Sequence, residues 1–110
     1  FYMGIKIMFS KKLIYVKVYA NHCSNALLFQ SEDTSIQPRD IVIVSLHGKE
    51  VPAMVVQVSR KIKNKSMNLE FILRKAGFFE RNKLSTDVHN RVKNEKLAWI
   101  DEIEYWNAMG

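Results

Sequence analysis

Cysteine occurs once in the 110 residues, at Cys23. That excludes a disulfide within the chain and fits a reducing compartment. Two prolines and four glycines are too few for a collagen-like or low-complexity chain. The glycines are also too scattered to form a phosphate-cradling loop. No apolar run approaches the roughly 18 residues that a transmembrane helix needs; a notable one, Ile41 to Leu46, has the length of a strand. Phe1 to Ser10 does not have the order of a secretory signal, because Lys6 interrupts its apolar residues. Residues 1–11 read as a leader or expression remnant, or as an extra edge strand. Acidic residues are the minority charge, 11 against 17 Lys and Arg, for a net +6. Such an excess permits a polyanionic partner without requiring one. What remains is 47% hydrophobic and 25% charged, the composition of one ordinary globular domain large enough for a core of its own.

Lys12 to Ala20 is rich in β-branched and aromatic residues and alternates. Ile14, Val16, Val18 and Ala20 share one face, the expected core face. Leu13, Tyr15, Lys17 and Tyr19 share the other. Asn21 to Asn25 is a polar turn, and Ala26 to Ser31 the second arm of a hairpin. After a polar loop, Pro38-Arg39-Asp40 has the chemistry of a β-turn. Ile41 to Leu46 is an unbroken run, the mark of a strand covered on both faces. His47-Gly48-Lys49-Glu50 is a hairpin turn leading into a strand over 51–59, and Pro52 places the start of that strand at a sheet edge. Simple alternation groups Met54, Val56 and Val58 on one side and Val55, Gln57 and Ser59 on the other. Four short antiparallel strands at near-regular spacing point to a small barrel or curled sheet.

The pattern changes at Arg60, where R-K-I-K-N-K carries four cations in six residues. Beyond it, Ser66 is a helix N-cap for Leu69, Ile72, Leu73 and Ala76, with Gly77 as the stop. The same stretch alternates through Leu69, Phe71 and Leu73, so a fifth strand is the alternative. From Ser85 or Thr86 onward, Val88, Val92, Trp99, Ile103 and Trp106 recur at helical spacing, which predicts one long C-terminal helix, with a break near Asn94 as a variant. The expected fold is therefore α+β. One domain spans 12–110, with a small antiparallel β-barrel-like sheet of four or five strands over 12–61 and a mainly helical C-terminal part over 66–109.

The order Y-V-K-V, then I-Q-P-R-D-I-V-I-V, a glycine turn, and V-x-x-M-V-V-Q-V, within Leu13 to Lys61, resembles the small β-barrel at the N-terminus of the primosomal replication-restart helicase. It also resembles related minor barrel domains of bacterial and phage proteins. Pro38 and Asp40 hold the turn, Arg39 stands where the family pattern has glycine, and Gly48 holds the hairpin position. The resemblance covers less than half the chain. It implies a barrel and contact with nucleic acid; in the helicase this domain attends the 3′ end of a DNA strand.

Candidate sites follow from charge and aromatic placement. Arg60, Lys61, Lys63 and Lys65 are dense enough to neutralise phosphates, and Arg74 and Lys75 follow in sequence. The outward stripe Tyr15, Lys17, Tyr19 puts flat rings beside a cation, a combination that suits single strands because a ring stacks on any base. The plainer alternative is a solvated basic loop, with the tyrosines under a helix. His22-Cys23 is too small a set for zinc, and adjacent residues on an extended chain diverge. Asp101, Glu102 and Glu104 read as a solvated acidic helix end rather than a metal or catalytic set. Trp99, Ile103, Tyr105 and Trp106 form an aromatic patch on the last helix. That patch suits packing on the sheet or an interface with a protein partner or a second copy.

The expected function is that of a non-catalytic, cytoplasmic nucleic-acid-binding domain favouring single strands, with no cofactor, no metal and no membrane. The alternative is a small phage or mobile-element protein that binds and inhibits a host or defence complex through its aromatic helix.

Overall fold

The computed structural model describes residues 12–63, 69–93 and 95–103. The leader expectation for 1–11 lies outside them, as do Ser66, Lys65, Tyr105, Trp106 and Glu104. The elements are β1 (Ile14–Ala20), β2 (Leu27–Ser31), β3 (Ile41–Leu46), β4 (Lys49–Ser59), β5 (Arg74–Lys75), α1 (Phe78–Arg81), α2 (Thr86–Lys93) and β6 (Ala98–Trp99). Strands run in the order β2-β1-β4-β3-β5, and β6 pairs with β4. The ladders along that path are antiparallel, while β6 lies parallel to β4. The fold is thus a predominantly antiparallel sheet with short helices, α+β in class. Among the described residues, no helix is long and apolar enough to cross a membrane.

The β3–β4 hairpin turns on His47 and Gly48, whose φ angles of 52° and 79° lie in the left-handed region. A two-residue turn needs that region to match strand twist. Ile43 and Ile41 point their carbonyls at Leu73 and Ala76 on the far side of β3. The Ile43–Pro52 pair is therefore a non-hydrogen-bonded one, and the nitrogen of Pro52 faces away from β3. There it needs no partner, because β1 begins to pair with β4 only at Ala53.

β4 organises the molecule. Its two edges receive β1 along residues 53–59 and β3 along residues 49–54. Where β3 ends, β6 takes the same edge at Gln57 and Val58. A register shift between Lys17 and Val18 leaves Val56 as the extra residue of β4. This bulge corrects the simple alternation. Val55 and Val58 both enter the inner core with Ile14, Val16, Val18 and Phe29. Met54 and Val56 face the other way, where Leu84, Val88 and Val92 cover them. α2 is amphipathic for that reason: Val88 and Val92, one turn apart, are its two buried residues.

Two helical expectations fail. Residues 69–75 are extended. Gln30 of β2 receives a bond from Ile72 and gives one to Glu70, while Leu73 and Ala76 donate to β3. The stretch thus satisfies backbone groups on two sheet edges, a demand that outweighs its helical stripe. Ile72 turns inward, whereas Phe71 and Leu73 are exposed. Gly77, expected as a helix stop, instead precedes α1, and its N–H donates to Glu80 Oε1 at 2.8 Å. The long C-terminal helix is also absent: α2 ends at Lys93, and 98–103 run beside β4 and its continuation. Ile100 donates to Val58, and Lys63 and Ile103 bond across the Ile62–Ile103 bridge. The exposed edge of β4 again decides the conformation.

Candidate functional site

The basic segment begins where β4 leaves the sheet. Ser59 is wholly buried and anchors that exit. Its hydroxyl donates to the Asp101 carbonyl at 3.0 Å and accepts from the Lys61 N–H at 3.1 Å. Arg60, Lys61 and Lys63 are exposed beyond it. Neither Arg60 nor Lys61 has an ion-pair partner among the described residues. Lys65 lies outside them.

β6 brings Trp99 to this segment by pairing with Val58. The Arg60 guanidinium lies over the indole, 5.5 Å from the ring centroid, a cation–π arrangement that holds the flexible side chain in place. The indole N–H donates to Gln37 Oε1 at 2.8 Å, while 38% of the residue remains exposed. Arg60, Lys61, Trp99, Ile100 and Asp101 line an open depression of about 380 Å³.

The structure divides the expected site residues. Tyr15 sits opposite Ser59, one residue before Arg60, and Lys17 opposite Gln57; both are half-buried. Tyr19 is occupied: it packs on the cluster under α2, with the Arg91 guanidinium 5.6 Å from its ring centroid. Burial raises its pKa above the usual phenol value, with the Glu95 carboxylate adding to the rise and Arg91 opposing it. Arg74 and Lys75 are spoken for elsewhere, pairing with Glu80 and Glu50 and with Asp40 respectively. Ile103 is buried core rather than interface, 1% exposed. Asp101 and Glu102 lie on no helix. Cys23 is half-buried and its carbonyl accepts from Arg91; His22 carries the turn at φ 62°.

Trp99 belongs with the cations, a grouping hidden in sequence by the 38 residues between it and Arg60. The exposed pair Phe78–Phe79 also escaped sequence reading, although it left a signal. On a strand, adjacent residues face opposite sides, so two neighbouring large aromatics there cannot both enter one core. At 73% and 78% they are the most exposed of the large hydrophobic residues described. Comparisons with protein-family models, curated proteins and solved structures find no match for the chain.

Proposed function

We propose that this is a non-catalytic domain that binds single-stranded nucleic acid at the exit of β4. Arg60, Lys61 and Lys63 contact phosphates, and Trp99 stacks on a base. The observation that carries this reading is Trp99, partly exposed and lying under the Arg60 guanidinium in a depression shared with Lys61. A flat ring with neighbouring cations suits a strand of any sequence, because every base has a π-face and every nucleotide a phosphate.

We further propose that the sheet is a small barrel of the kind its strand order resembles. The Gln30–Phe71 bridge supports this, because it joins edge strand β2 to the chain leading into β5. Arg39 supports it too: its φ of 80° is the conformation glycine adopts readily, at the position where the pattern has glycine.

The test is fluorescence anisotropy with labelled single- and double-stranded DNA and RNA at several salt concentrations. The expected result is salt-sensitive binding that favours single strands. In Arg60→Ala/Lys61→Ala the log–log salt slope should fall by about 1.4, roughly 0.7 per lost phosphate contact. Trp99→Ala should weaken binding roughly tenfold or more with the slope unchanged. Unaltered affinity in both variants, with circular dichroism showing an intact fold, overturns the assignment.

A further inference from the structure

We infer that the bound strand does not stop at Trp99 but continues across the loop before β3 to a second stacking platform, Phe78–Phe79. This inference rests on the nucleic-acid reading and extends it. The two platforms are joined by a chain of contacts. The Trp99 indole bonds Gln37, and the Gln37 N–H bonds Asp40 Oδ2 at 2.9 Å. Asp40 Oδ2 pairs with Lys75 Nζ at 3.6 Å, and the same ammonium donates to the Ser35 carbonyl at 3.3 Å. Two residues beyond Lys75, Gly77 starts α1, whose first two residues are the phenylalanines.

Register gives the scale. Trp99 lies beside Val58 and Ile41 beside Met54 on the same edge of β4, and Ala76 bonds Ile41. Along β4 these two register positions are four residues apart, at most roughly 13 Å because the Val56 bulge shortens the strand between them, so the edge leading from Trp99 towards α1 is within reach of a few nucleotides.

Charge along this strip favours an anionic occupant. Arg39 sits at the tip of the turn, exposed, with no ion-pair partner among the described residues. Arg81 and Lys83 are exposed just after the phenylalanines. Of the carboxylates on this strip, Asp40 is paired with Lys75 and Glu80 with Arg74, while Asp101 lines the depression beside Trp99. Phe78 and Phe79 meet edge to face with centroids 5.4 Å apart, and no residue of α1 is buried. The rings therefore contribute little to the core and project from the surface. Cations around exposed rings repel a second copy of this chain and attract a polyanion with stackable bases.

The test compares oligothymidylates of about 4 and about 15 nucleotides, lengths spanning a single-platform and a two-platform site. Phe78→Ala/Phe79→Ala should lose about tenfold or more of the affinity for the long oligomer and leave the short one within about twofold. Arg39→Gly, which removes the cation but suits the backbone, should weaken the long oligomer alone. Equal loss for both lengths, or no loss for either, overturns the inference. If Trp99→Ala still weakens both lengths, the nucleic-acid reading survives that failure; if no variant affects either length, both fall. A phenylalanine variant with unchanged DNA affinity that loses binding to anionic phosphatidylserine vesicles would assign the rings to a lipid surface instead.

Discussion

Residues 14–59 and residues 69–103 contribute to one sheet in different ways. The first region builds long ladders from its own strands, and β4 alone runs 11 residues. The second adds two-residue strands and single bridges wherever an edge is left open. Local pattern decides the first region, because its valines and isoleucines favour strands and its turns suit hairpins. In the second, hydrogen-bonding demand from the first overrides local preference. Apparent helical stripes at Leu69–Ala76 and Leu97–Ile103 do not count if a strand edge nearby has unpaired carbonyls and N–H groups. The candidate site lies on the seam between the two regions: Arg60 comes from the first, Trp99 from the second.

The contrast breaks most sharply at Ile72, the second region's residue in the inner core. Ile72→Ala should cost about 2–5 kcal/mol, read as a fall in denaturation midpoint. If the second region were only appended, the loss would be far smaller. Ser59→Ala comes next. It leaves the Asp101 carbonyl and the Lys61 N–H without their partner and should cost about 1–3 kcal/mol. Hydrogen exchange should then rise at Lys61 and around 100–103 while β1 and β3 stay protected; uniform loosening would argue against a seam. The smallest effect concerns Tyr19. Its raised pKa means the protonated phenol is favoured in the folded state. That contribution is complete below the ordinary tyrosine value, near 10, and is lost as pH climbs through the folded value. Tyr19→Phe should therefore flatten the alkaline decline in stability, measured by denaturant titration between about pH 9 and pH 11. A decline identical to the unmodified protein would separate Tyr19 from that transition.

Much of the first region was legible. The faces of β1, the arms of the hairpins and the turn at Pro38–Asp40 follow from alternation and turn chemistry. The faces of β4 did not follow, because a bulge at Val56 inserts a residue and shifts the period. Alternation does not reveal the bulge, because Val55 and Val56 are both valine and either could take the inner face. Half of the candidate site was also legible. The run Arg60 to Lys63 announces itself by density. Its aromatic partner was placed instead on a helix, because Trp99, Ile103 and Trp106 have helical spacing. For Tyr19 the sequence left two readings, a stacking ring or a ring under a helix; the structure puts it under α2, with Arg91, 72 residues later, beside it.

By itself the sequence determined the strands of residues 14–59, a hairpin turn starting at His47–Gly48, the inner face of β1 and the clustering of cations at Arg60. Each of these depends on neighbours within a few residues, where side-chain branching, alternation and turn preference act. Only the tertiary structure decided that 69–75 and 98–103 would pair with strand edges rather than coil into helices, and that α2 would stop at Lys93. It alone decided that Trp99 would lie beneath Arg60, while Phe78 and Phe79 were left outside. Those outcomes depend on which backbone groups β2, β3 and β4 leave unpaired, and a sheet edge exists only once distant strands have met.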